Sequence, residues 1–132
     1  MPSAPLPPHI VDFLKAANPA VIASNRPDGQ PVSVATWYLL EDDRHILVNM
    51  DASRKRLTYL EQDPRVSLTV LGKDWYQHVS VQGSIVLTPD PERAGIDRIS
   101  THYTGNAYPD RTNARVDGLI TIDSWHSWHI KD

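Results

Sequence analysis

Apolar residues first recur at helical spacing, with Ile10, Phe13, Leu14 and Ala17 at i, i+3, i+4 and i+7 behind Pro7 and Pro8. Proline is tolerated in a first helical turn, so this spacing predicts a short amphipathic helix after a flexible, Pro-rich leader over residues 1–8. A compact apolar run from Ala20 to Ser24 follows, closed by Arg26-Pro27-Asp28-Gly29-Gln30. Proline presets φ and glycine accepts positive φ, which makes this strand, tight turn, strand. The second strand, Pro31 to Leu40, sets Val32, Val34, Thr36, Tyr38 and Leu40 against Ser33, Ala35, Trp37 and Leu39. Glu41 to Arg44 turns it into Ile46, Val48 and Met50, so three strands are expected as a meander.

Ser53 to Gln62 carries Leu57 and Leu60 among good helix formers, and Pro64 must end that helix. Val66, Leu68 and Val70 alternate with polar neighbours, Gly72-Lys73-Asp74 turns, and Tyr76 to Thr88 makes a long strand with a bulge expected at Gly83. Asp90 and Pro91 suit the N-cap and first position of a third helix, in which Ile96, Ile99 and Tyr103 share a face and Gly105 follows the last turn. Asn106 to Arg115 has no periodicity, and Gly118 to Ile130 alternates as a last strand. Six strands joined mostly by short turns predict a mainly β domain, an antiparallel barrel closed or partly closed, because closure removes exposed edges.

Composition narrows the class. The 132 residues make one domain, and 40% hydrophobic with 22% charged residues is an ordinary globular balance. A net charge of −3 gives no global attraction to nucleic acid or to an acidic membrane, so any anion site must be local. No run approaches the ~20 apolar residues of a membrane span, and residues 1–8 lack the regions of an export signal. With no cysteine the chain suits a reducing compartment, and a cytoplasmic protein is expected.

The clearest anomaly is Ser53-Arg54-Lys55-Arg56, three cations at a helix start that prefers acidic residues. They become favourable if a phosphate sits there, since free N–H groups, the dipole and charge-assisted bonds converge on one anion. The alternative is a solvated basic patch. At the other end, His126 and His129 stand three apart on a strand, so they point to opposite faces and no metal site is expected. Trp125 and Trp128 suit a core or subunit contact, or stacking on a ligand. Neither a nucleophile motif nor a phosphate-binding glycine loop is present, so no catalytic side chain is expected.

Several pieces in order carry a resemblance: Asp28-Gly29-Gln30-Pro31, Trp37-Tyr38, the segment from Asp51 to Arg56, and Leu60-Glu61-Gln62-Asp63-Pro64-Arg65. Over about residues 10 to 130 the chain resembles the pyridoxamine 5′-phosphate oxidase-like split-barrel flavoproteins, and more narrowly their actinobacterial F420 (deazaflavin)-dependent reductases. The resemblance implies a six-stranded antiparallel split barrel of the FMN-binding type, and a homodimer with two cofactors in grooves between subunits. It implies that Ser53, Arg54, Lys55 and Arg56 hold the cofactor phosphate, that the strands carrying Val34, Ala35, Thr36 and Trp37 and Val48, Asn49 and Met50 bind the ring, and that Asn49 lies near the sugar or phosphate chain. It also implies that Trp125 or Trp128 of a partner subunit closes the site. The vitamin-making oxidases end in an Arg-containing segment that clasps their substrate, whereas this chain ends at Ile130-Lys131-Asp132, so pyridoxal phosphate synthesis is not expected. Hydride transfer remains, with the cofactor carrying the reaction. The first reading is an F420-dependent reductase acting on an electron-poor small molecule such as an enone, quinone or lactone; FMN in the same fold is the alternative. A non-enzymatic barrel that stores cofactor or binds single-stranded nucleic acid is a third reading, opposed by the acidic net charge. Arg65, Lys73, Arg111 and Arg115 are further cations available to the anionic tail of F420.

Overall fold

Three helices and seven strands follow one another in the computed structural model, which describes Met1–Asp132. Helix α1 (Pro8–Leu14) precedes β1 (Ala20–Asn25), β2 (Pro31–Thr36), β3 (Leu39–Leu40) and β4 (His45–Asp51). Helix α2 (Lys55–Gln62), β5 (Arg65–Leu71), β6 (His78–Pro89), α3 (Ala94–Thr104) and β7 (Arg115–Trp128) complete the chain. The strands form one antiparallel sheet in the order β2-β1-β5-β6-β7-β4-β3.

This order alone requires the sheet to curl. Strands β2 and β3 lie at opposite edges, yet only Trp37 and Tyr38 separate them. Three Cα steps span at most about 11 Å, so the edges must approach within that distance. The result is a barrel split along the β2–β3 gap. The expected second strand is therefore two strands, one pairing with β1 and the other with β4, and the count is seven rather than six. The three-strand meander expected here is likewise two hairpins on opposite edges, because the chain steps across the split instead of folding back along one edge.

The inward faces form one hydrophobic cluster around Ile22, Ile46, Val48, Leu68, Val79, Val81 and Ile120, sealed by Leu14 and Leu60 from the helices. Tyr38 is wholly buried at the split. Its hydroxyl donates to the carbonyls of Leu14 (3.0 Å) and Ala16 (2.9 Å), which ties the crossing segment to the end of α1. Burial drives its phenol pKa well above the usual tyrosine value, so it stays a donor.

The pairing of β6 with β7 shifts at Gln82 and Gly83, where Gln82 opposes Ser124 and Gly83 opposes Ile122, leaving Asp123 as the extra residue. A Cβ at Gly83 would stand 2.0 Å from the Thr121 carbonyl oxygen, which is why glycine occupies the bend. The Asp123 carbonyl accepts instead from the Ala4 N–H (3.1 Å). Residues 1–8, expected to be flexible, are thus docked: Ser3 bridges Ser124 and Leu6 is buried in the core. No helix is long and apolar enough to cross a membrane.

Candidate functional site

On β4, Val48 turns into the core while Asn49 and Asp51 share the other face, under α3. Asn49 is buried, and every polar atom of its side chain is engaged. Its amide nitrogen donates to Asp90 (3.1 Å) and Asp117 (2.7 Å), and its oxygen accepts from Nε of Arg115 (2.9 Å). Asp90 is held in turn by the N–H groups of Gly95 (3.1 Å) and Ile96 (3.0 Å). It caps α3 from outside: the helix begins at Ala94 rather than at Pro91, with Arg93 at φ 62° forming the corner. Burial holds the Asp117 carboxyl above the usual aspartate range, outweighing the Asn49 bond that lowers it.

The Arg115 guanidinium lies 4.8 Å over the Tyr108 ring. Tyr108 meets Trp37 edge-on at 6.3 Å, and Trp37 stacks on Tyr103 at 5.1 Å and 13°. Tyr103 donates to the Asn18 carbonyl (2.6 Å), and burial pushes its phenol up to about 12. The stretch Asn106 to Arg115, patternless in sequence, is ordered by Asp97, which accepts from the Tyr108 N–H (3.0 Å) and pairs with Arg111 (2.7 Å).

Trp37, Asn49, Tyr103, Tyr108 and Arg115 line a cavity of about 610 Å³. Ala35, Thr36, Met50, Arg54 and Arg56 line it as well. A smaller cavity of about 310 Å³ shares Ala35, Arg54 and Arg56 and is completed by Ser24, Ser33, Val34 and Lys55. None of Arg54, Lys55, Arg56 or Arg115 is in a salt bridge, whereas Arg26, Arg65, Arg98 and Arg111 each meet a carboxylate. The Arg56 Nε is buried without a partner, and its guanidinium is weakened as an acid-base cation by burial and by nearby Arg54. Asp51, the one carboxylate lining the larger cavity, forms no salt bridge with them; it accepts from the N–H (2.8 Å) and hydroxyl (2.7 Å) of Ser53. Those bonds hold it below the usual aspartate range.

Of the residues singled out from sequence, Ala35, Thr36, Trp37, Asn49, Met50, Arg54 and Arg56 line the larger cavity, and Val34 and Lys55 the smaller. Val48 is a core residue, and Ser53 is occupied with Asp51 outside the helix, which starts at Lys55. Trp125 and Trp128 lie ten or more residues beyond Arg115 along β7 and line neither cavity. Tyr103, Tyr108 and Ser24 were not singled out. Tyr103 looked like a core position of α3, Tyr108 lay in a patternless loop, and Ser24 was one polar residue at a strand end. Of the four further cations Arg115 lines the larger cavity; Arg65 and Arg111 are paired, and Lys73 lies in the β5–β6 turn.

Comparison with known proteins places this cation-lined architecture in a family. Residues 6–129 match the family described as pyridoxamine 5′-phosphate oxidase. An F420 reductase structure superposes with a TM-score of 0.80 at 21% identity, covering 87% of this chain and 94% of that one. The conserved hypothetical protein Rv2991 from Mycobacterium tuberculosis gives 0.77 at 28% identity, covering 96% and 86%. A pyridoxamine 5′-phosphate oxidase-like protein from Listeria innocua gives 0.68 at 16% identity, covering 89% and 94%. No curated protein sequence matches the chain. With a curled antiparallel sheet split between β2 and β3 and a family match over nearly its whole length, the chain belongs to the pyridoxamine 5′-phosphate oxidase family of split-barrel oxidoreductases.

Proposed function

We propose that this chain is an F420-dependent reductase that passes hydride to an electron-poor small molecule such as an enone, quinone or lactone. The observation that carries the reading is the unpaired cation cluster at the start of α2, beside an aromatic-walled cavity and containing a buried guanidinium nitrogen with no partner. Free cations in a chain whose other arginines are mostly paired fit an anionic ligand better than a solvated patch. The fold shared with an F420 reductase supports the choice of cofactor.

In this reading Arg54, Lys55 and Arg56 hold the phosphate and Trp37, Tyr103 and Tyr108 flank the planar ring. When bound, the deazaflavin supplies the hydride. The protein's part is orientation and exclusion of water, in keeping with a site that offers no nucleophile. The site is shared across a homodimer, with Trp125 or Trp128 of the partner subunit as its outer wall; the 54% exposure of Trp128 supports this.

Protein from a host lacking F420 should purify colourless, bind added F420 with micromolar or better affinity, and oxidise its reduced form only when an acceptor is present. Yellow protein with stoichiometric FMN and no F420 binding would replace the reading with an FMN-dependent oxidoreductase.

A further inference from the structure

Most donors lining the larger cavity are spent within the protein. The Asn49 amide holds Asp90 and Asp117, the Tyr103 hydroxyl donates to the Asn18 carbonyl, and the Thr36 hydroxyl donates to the Trp37 carbonyl (2.9 Å). Arg115 differs. Its Nε is fixed on Asn49 (2.9 Å) and its guanidinium lies over the Tyr108 ring, but its two terminal nitrogens make no hydrogen bond and are not buried. Asp51, its cross-strand neighbour, makes no salt bridge with it and bonds Ser53 instead. The guanidinium is thus held at one end and along one face, with its donor fork unspent in a cavity that Trp37, Tyr103 and Tyr108 also line. Arg54 and Arg56 line both cavities, whereas Arg115 and Tyr108 line the larger one only.

We propose that Arg115 is a catalytic residue of the reductase: its terminal nitrogens bind the carbonyl oxygen of the acceptor and hold the negative charge that builds there during hydride transfer. Enones, quinones and electron-poor lactones share a carbonyl conjugated to the carbon that takes the hydride. As hydride from the reduced deazaflavin bonds to that carbon, the carbon–carbon π pair shifts toward the carbonyl and the carbonyl π pair moves onto oxygen. The acceptor has then gained two electrons as an enolate, the deazaflavin has lost two, and a proton from water completes the reduced product. Donors already in place at that oxygen stabilise the charged state more than the neutral acceptor, which lowers the barrier. A guanidinium suits the task because it stays charged and its fork is fixed by Asn49 and Tyr108 before the acceptor arrives. The open fork is a property of this chain's own geometry; its part in hydride transfer rests on the reductase reading.

The test compares the wild type with Arg115→Ala and Arg115→Lys in three measurements. These are F420 affinity by fluorescence, the single-turnover rate at which protein-bound reduced F420 is oxidised by the best acceptor from a panel of enones, quinones and lactones, and the absorbance change of 4-nitrophenolate on the cofactor-free protein. The phenolate is a planar ring whose charged oxygen imitates the enolate, so it reports the anchor without turnover. Arg115→Ala should keep wild-type F420 affinity, slow the single turnover about 100-fold, as loss of an oxyanion donor does, and weaken phenolate binding. Arg115→Lys keeps the charge without the fork, should fall between the two, and takes over the comparison should Arg115→Ala not fold. Wild-type rate and phenolate affinity in the variant that folds overturn the proposal and leave the reductase reading standing. Weakened F420 binding with an unchanged rate at saturation also overturns it, by assigning Arg115 to the cofactor. If the wild type binds no F420 or reduces no acceptor, the reductase reading fails, and the phenolate alone decides the anchor: weaker binding in the variant supports it, equal binding overturns it.

Discussion

Arg26, Arg65, Arg98 and Arg111 each reach a nearby carboxylate, so the arginines that do not are informative. Arg115 is the more elaborate case, because two carboxylates lie at one remove and an amide separates them from it. Asn49 satisfies Asp90 and Asp117 with its nitrogen and aims Arg115 with its oxygen, so the outer edge of the guanidinium stays available to the cavity. Arg56→Ala should weaken cofactor binding by about 1.5–3 kcal/mol, the size of a charged hydrogen bond, while leaving the unfolding midpoint unchanged or raised. Fluorescence titration beside denaturant unfolding checks both halves; a large loss of stability would give Arg56 a structural role. Asp117 makes a prediction about pH. A carboxyl whose folded pKa is raised binds its proton more tightly in the folded state, so its cost to stability appears as pH rises from the unfolded value, about 3.9, through the folded one, and persists above it. Asp117→Asn should therefore raise the melting midpoint near neutral pH, and the gain should shrink toward pH 4. A gain independent of pH would assign it to something other than titration.

At the scale of elements, one side chain links the start of α3 to the site. Asp90 closes the first turn of the helix and anchors Asn49 as well. Asp90→Ala should cost about 0.5–2 kcal/mol, as other lost caps do, and should also loosen Arg115 and weaken ligand binding. Asp90→Asn keeps an acceptor for one N–H and should recover part of the stability; equal losses in the two variants would show that the cap does not act through its oxygens. The β6–β7 bulge is stricter. Any side chain at Gly83 meets the Thr121 carbonyl, which is part of the sheet and cannot swing aside. Gly83→Ala should destabilise by about 1–3 kcal/mol, the usual penalty of overpacking, with the ladder at the Gln82–Ser124 and Gly83–Ile122 pairs losing amide-exchange protection first.

For the whole molecule, the decisive feature is the two-residue step from one sheet edge to the other. Trp37 faces the larger cavity and Tyr38 the core, so one dipeptide closes the barrel and supplies part of the site. Tyr38→Phe should cost about 1–3 kcal/mol by orphaning the Leu14 and Ala16 carbonyls, measured by chemical denaturation. Assembly belongs to the same scale. If Trp125 or Trp128 completes a partner's site, light scattering at micromolar protein should give about twice 14.9 kDa, and Trp128→Ala should weaken both self-association and cofactor binding. A monomer that binds cofactor with full affinity would end the shared-site proposal.

Local rules were enough for most elements of this chain, because each rests on neighbours in sequence: the period of Val66, Leu68 and Val70, the halt at Pro64, the bend at Gly83 and the turn at Gly29. The cations of Arg54 to Arg56 were equally legible, since opposition to a helix dipole is a matter of one turn. Helix starts were less so: Asp90 caps α3 across four residues by folding back, a reach that a fixed-offset rule does not contain. What pairs with what was beyond local reach. A single unbroken alternation from Pro31 to Leu40 gives no sign that its halves join opposite edges, because alternation records which face is buried and not which strand lies alongside. The larger cavity is likewise a product of the tertiary structure. Tyr108 has no periodic neighbours, Asn49 and Arg115 are 66 residues apart, and Ser24 becomes notable only when its surroundings offer its hydroxyl nothing. Solitary polar residues carry no pattern, and their meaning comes from the partners that the curled sheet brings to them or withholds.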